Sequence, residues 1–134
     1  MPPAGLKDFA TRYASAWSSQ NPSRVAAFFE EHGALRINGG PPSSGRAAIE
    51  AVARSFMTAF PDMAVSLDQA TGAGNQAVFH WTLTGTNTGP GGSGHPVRIS
   101  GREEWTFGPS GRIAESDGHF DESDYRRQLE GGPA

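Results

Sequence analysis

Apolar residues recur with a helical period along the first part of the chain. Leu6, Phe9, Ala10, Tyr13, Ala16 and Trp17 fall at i, i+3, i+4, i+7, i+10 and i+11, which predicts an amphipathic helix over residues 6–19. Asn21-Pro22-Ser23 interrupts that stripe. Pro22 or Ser23 then opens a second short helix through Phe28 and Phe29, which Gly33 ends. Residues 34–38 read as a brief strand and residues 39–45 as a Gly/Pro/Ser loop. Ser43 or Ser44 is expected to cap a third helix with Ile49, Val52, Ala53, Phe56 and Phe60 on its apolar face, and Pro61 stops it.

Beyond Pro61 the period changes to two. Residues 63–70 alternate, and residues 76–86 and 97–107 are rich in β-branched and aromatic side chains, so three strands are expected. Residues 72–75 form a turn and residues 89–94 a longer connection. Residues 108–111 make a hairpin turn into a last strand from Arg112 to about Asp121, followed by a helical turn over residues 124–129. Helices first and antiparallel strands afterwards make this an α+β fold. At 134 residues it is expected to be one domain, 1–134, with 1–4 and 130–134 as flexible ends.

Composition narrows the partners. Eleven Lys plus Arg against fourteen Asp plus Glu give a net charge of −3, with no basic run, which argues against nucleic-acid or anionic-membrane binding. The absence of cysteine excludes disulfides and thiolate chemistry. No apolar run is long enough to span a bilayer, and residues 1–4 lack the pattern of a secretion signal, so a cytoplasmic protein is expected.

The last strand carries the densest chemistry. Glu115, Asp117, His119 and Asp121 recur at every second residue, so an unbroken strand points all four to one face. A carboxylate two residues from a histidine is a workable acid/base pair. The same face is equally explained as a polar sheet edge, and a β-bulge would uncouple Asp121 from Glu115. Three residues of one strand rarely wrap a cation, so no metal site is expected. His80 lies in opposite phase to Phe79, Trp81 and Leu83; it is either a structural residue or a second pocket group. Trp17, Phe56, Trp105 and the other large rings fill a core or line a cavity for an apolar ligand. Arg102, Glu103 and Glu104 read as a charged strand face. The glycine-rich stretch at residues 91–94 lacks the lysine and helix of a phosphate-binding loop.

Four segments, in order, resemble the SnoaL-like polyketide cyclase family of the NTF2-like superfamily. They are Phe60-Pro61-Asp62, Gly85-Thr86-Asn87-Thr88-Gly89-Pro90, Gly111-Arg112-Ile113-Ala114-Glu115, and Asp121 followed by Gln128-Leu129. The resemblance implies a cone: three N-terminal helices packed on a strongly curved, mostly antiparallel sheet around an apolar pocket. It also implies a cofactor-free cyclase- or isomerase-type enzyme acting on an apolar cyclic or polyketide-like molecule, and a homodimer. Asp121 matches the family's acid/base, with His119 beside it. Tyr13, Trp17, Asn38, Phe56, His80, Asn87, Trp105 and Asp117 are the expected substrate contacts. Asn87 stands where the family has histidine, and Asp117 where it has tryptophan. Tyr13 and Asn38 match a tyrosine and an aspartate of the ketosteroid isomerase branch, but Asn38 cannot serve as a base. Trp81 and Leu83 replace the arginine and aspartate of the limonene epoxide hydrolase branch. The alternative reading is a non-catalytic ligand-binding or dimerisation domain.

Overall fold

A computed structural model describes residues 5–132. Three helices come first: α1 (Leu6–Ser18), α2 (Pro22–Ala26) and, after strands β1 (Phe29–Ile37) and β2 (Ser43–Ser44), α3 (Arg46–Ala59). Strands β3 (Ala64–Ala73), β4 (Gln76–Thr86), β5 (Pro96–Phe107) and β6 (Ile113–Phe120) follow, and α4 (Glu122–Leu129) closes the chain. The six strands form one sheet in the order β2-β1-β6-β5-β4-β3. All neighbours are antiparallel except β1 and β6, which are parallel. The fold is α+β, with the helices packed over one face of a curved open sheet.

The stripe read on α1 is the buried one: Phe9, Ala10, Tyr13, Ala16 and Trp17 all face the core, together with Ala14. On β4, Ala77, Phe79, Trp81 and Leu83 point inward, which turns His80 outward. On β5 the inward set is Val97, Ile99, Glu103, Trp105 and Phe107. Trp105 stacks on Phe79 at 5.1 Å, and Tyr13 meets both rings edge-on at 5.1 and 5.4 Å. Edge-to-face and offset contacts of this kind suit the ring quadrupoles and add to the burial of large apolar surface.

Three elements differ from the sequence reading. The second helix ends at Ala26 rather than running to Gly33, and β1 begins at Phe29. Gly33 lies inside that strand, where a Cβ would come within 2.9 Å of the Ile113 carbonyl oxygen; the glycine permits a close strand approach and does not end a helix. Ser43 and Ser44 do not cap α3. They pair with Leu35 and Ala34 as β2, and Gly45 is the N-cap residue. At the other end, Asp121 leaves the last strand as the N-cap of α4, its Oδ1 accepting from the Asp124 N–H at 3.0 Å. Glu130, Gly131 and Gly132 donate back to carbonyls of α4, while residues 1–4 and 133–134 lie outside the described part.

The segments carrying the family resemblance hold the fold together. Asp62 accepts from both the N–H and the hydroxyl of Thr86, at 2.7 and 2.9 Å. Those two bonds hold its carboxyl below the usual range. Asn87 donates from Nδ2 to the Ala59 carbonyl and accepts the Ser93 N–H on Oδ1. Gln128, buried, accepts from the Arg98 N–H and donates to the Arg98 carbonyl, tying α4 to β5.

Candidate functional site

The site is assembled on the inner face of β5. Alternation places Glu103 between Ile99 and Trp105 on the buried side of the strand, so a carboxylate enters the core where the sequence suggested only a charged outer face. Glu103 is 7% exposed. Its Oε1 accepts three hydrogen bonds: from Tyr13 Oη at 2.8 Å, Trp105 Nε1 at 3.0 Å and Ser116 Oγ at 2.7 Å. Each donor comes from a different element, α1, β5 and β6, so the clamp forms only when all three are packed.

Burial pushes the Glu103 carboxyl above its ordinary value, against the pull of Ser116, Trp105 and Tyr13, which favour the anion. Burial also raises the Tyr13 phenol well above its usual range, and the adjoining charge of Glu103 adds to that. With three donors occupying Oε1, a proton on this carboxyl sits on Oε2. That oxygen has no protein partner among the described residues and is the one left to the cavity that Glu103 lines.

The cavity has a volume of about 60 Å³. That is room for about two water molecules at the volume each takes in the liquid. Its walls are rings and aliphatic side chains, chiefly Trp17, Phe56, Phe79, Trp81 and Phe120, and they include no Lys, Arg or His. Gly118 lines it beside Glu103, and Gly101 lies behind one of its rings. A Cβ on Gly101 would come within 2.6 Å of the Trp81 ring, so the missing side chain lets that indole lie against β5.

Of the residues expected to contact substrate, the structure brings Tyr13, Trp17, Phe56 and Trp105 to this site. It sets the remaining candidates apart. A register shift between Thr106 and Phe107 opposite Ile113 and Glu115 lets Ile113 face the core, while Asp117 and His119 face out. Asp121 is exposed and capping α4. His80, Arg102 and His119 stand side by side across β4, β5 and β6 on the outer face, where Glu104 lies 3.5 Å from Arg102 and 3.3 Å from His119. Together with Asn38, Asp121 and Glu122 they line an open groove. Asn38 sits at φ 50° and accepts the Phe120 N–H on Oδ1, holding the end of β1 against β6. Asn87 belongs to the loop staple described above. Among the described residues no group of three His, Asp or Glu side chains could hold a metal ion, and no helix is long and apolar enough to cross a membrane.

Glu103 and Ser116 are the functional candidates that the sequence reading missed. The available signal was phase: Val97, Ile99, Glu103, Trp105 and Phe107 share one parity on β5. Arg102 and Glu104, flanking Glu103, disguised it as part of a charged run.

The model of the SnoaL-like domain matches residues 10–116. No curated protein sequence matches the chain. Solved structures with this fold include a hypothetical protein with a ketosteroid isomerase-like fold from Catenulispora acidiphila, in complex with trimethylamine; it is 19% identical, covers 94% of each chain and has a TM-score of 0.81. The epoxide hydrolase/cyclase-like enzyme SalBIII of pyran ring formation in the polyether salinomycin is 18% identical, covering 88% of this chain and 92% of its own, with a TM-score of 0.75. A candidate polyketide cyclase from Xanthomonas campestris pv. campestris is 19% identical, covering 92% and 95%, with a TM-score of 0.75.

Proposed function

The chain belongs to the SnoaL-like domain family, and from that premise we propose that it is a cyclase- or isomerase-type enzyme in which Glu103 is the proton-transferring group. The observation that carries this reading is the clamp on Glu103. One carboxyl oxygen is fixed by Tyr13, Trp105 and Ser116, and the other is free at an apolar cavity. A carboxyl whose proton affinity is raised by burial can, in its protonated form, donate to an oxygen of the substrate. With an epoxide, Glu103 Oε2–H gives its proton to the ring oxygen as that C–O bond breaks, a hydroxyl of the same substrate forms the new C–O bond at the freed carbon, and the hydroxyl's proton returns to Glu103. The net change is a rearrangement of bonds within the substrate, which consumes no co-reactant. The two similar proteins named for epoxide opening or polyketide cyclisation belong to the same chemical class.

The cavity volume limits the substrate. Pockets for drug-sized ligands run from about 300 Å³ upward, whereas this one is about 60 Å³. A single six-atom ring fills a cavity of about 150 Å³, so even one ring requires the helices to part from the sheet. That small volume also supports the alternative reading, a binding domain without turnover. The deciding experiment follows isomerisation or ring closure of small cyclic enones, epoxides and hydroxyketones by mass-neutral changes in chromatographic retention. Wild type is expected to turn over at least one class, and Glu103→Gln to lose about 10²- to 10⁴-fold. Turnover undiminished in Glu103→Gln removes Glu103 from the mechanism, and binding without turnover in wild type favours the binding domain.

A further inference from the structure

Of the residues that line the cavity beside Glu103, Ile37, Phe56, Val65 and Phe120 are half-buried and the rest are buried, so these four mark its mouth. Two of them are rings, and they are held differently. Phe56 lies within α3, whose two ends are tied down. Arg46 Nε donates to the Phe29 carbonyl at one end, and the Gly89 N–H and Asn87 Nδ2 both donate to the Ala59 carbonyl at the other. Phe120 is the last residue of β6, and its ring meets Trp81 at 6.2 Å and Tyr125 of α4 at 5.6 Å. Among the described residues, the polar Gln128 is the one buried side chain of α4, whereas α1 buries six. Local opening is easiest in an element with so little buried apolar surface.

Phe120 also borders both this cavity and the open groove that His80, Arg102 and His119 line. Size completes the argument. A cavity of about 60 Å³ is too small for one ring. A phenyl group leaving the mouth vacates the space of a six-atom ring, so the movement that unblocks the cavity also makes the room that a guest needs.

We infer that Phe120 is the gate of this cavity: its ring turns aside with α4 to admit a molecule, and the first ring of that molecule takes the place it leaves. The inference rests on the assignment of this cavity as the substrate site, but it concerns entry and needs no turnover. Tyr125, which packs edge-on against Phe120 without lining the cavity, is the latch.

Acrylamide quenching of tryptophan fluorescence tests this on the full chain, because Trp17, Trp81 and Trp105 are all buried and the first two line the cavity. Acrylamide is neutral, close to a small ring in size, and quenches an indole only by reaching it. Wild type is expected to be quenched weakly, in proportion to the fraction of molecules with the gate open. Phe120→Ala removes the gate and should raise the quenching constant at least about threefold; Tyr125→Ala removes the latch and should raise it about twofold. Phe28→Ala is the control. It deletes a half-buried ring that packs on Phe9 and Tyr13 away from the cavity lining, and it should leave the constant unchanged. Should Phe120→Ala fold poorly, Tyr125→Ala against Phe28→Ala still decides. Unchanged quenching in a folded Phe120→Ala or in Tyr125→Ala overturns the inference, since Phe120 would then only fill space. An equal rise in Phe28→Ala also overturns it, as a general loosening of the core. The outcomes separate it from the enzymatic reading. Gated entry without turnover leaves the inference standing alone, and Glu103-dependent turnover with quenching unmoved by Tyr125→Ala does the reverse.

Discussion

Glu103 is the residue at which burial, hydrogen bonding and proton affinity meet, and it has a consequence for stability. Its carboxyl is raised by burial, so the native state holds a proton more tightly than the unfolded chain does. The stabilisation this gives is complete below the unfolded carboxyl value and is lost as pH rises through the higher folded value. Asp62 has the opposite sign: Thr86 lowers its carboxyl, so its contribution is present above the unfolded value and disappears on acidification. Comparing wild type with Glu103→Gln cancels the Asp62 effect, since both proteins carry it. Urea unfolding between about pH 4 and pH 8 should therefore show wild type losing stability relative to Glu103→Gln as the pH rises. A difference that stays constant over that range would mean Glu103 has the same proton affinity folded and unfolded.

Among the elements, β6 and α4 show what a sequence pattern resolves and where it stops. The alternation of Glu115, Asp117, His119 and Asp121 was legible, and so was the start of the strand after the Gly108-to-Gly111 turn. Which face those residues occupy was not, because the register shift near Ile113 is set by pairing with β5. Asp121 then follows its local role rather than its parity: it caps α4, which carries Gln128 to the backbone of Arg98. The helical stripe on α1 was readable because the core repeats its period over several turns. Short features failed where distant chain decided them, as with Gly33 against Ile113 and Ser43 against Leu35. Replacing Asp121 by alanine is expected to cost about 0.5–2 kcal/mol through loss of the cap. Turnover per folded molecule should fall less than about threefold, against the 10²- to 10⁴-fold expected of an acid/base group. Denaturant midpoint and specific activity, measured on one preparation, separate these outcomes; a stable but inactive Asp121→Ala would return the chemistry to the end of β6.

For the molecule as a whole, the helices and the curved sheet pack on a core that leaves a cavity of about 60 Å³, and a glycine in a strand interior keeps part of it open. Gly118 does not have the positive φ that favours glycine, and a Cβ there would sit 3.5 Å from the Arg36 carbonyl oxygen and 3.7 Å from Glu103 Cγ, both ordinary contacts. Backbone geometry therefore does not require glycine at this position, and space is what its absent side chain provides. In a strand interior glycine costs conformational entropy and contributes no packing. Gly118→Val should accordingly fold at least as stably as wild type, since valine favours the strand and fills a void. The same three carbons occupy space beside Glu103 and should exclude a ligand from that end of the cavity. The expected result is a denaturant midpoint equal to or above that of wild type, with the affinity for any small molecule that wild type turns over weakened about tenfold or more. A destabilised Gly118→Val would show that the space is already needed by packing. A stable variant that binds as well as wild type would place the ligand outside this cavity.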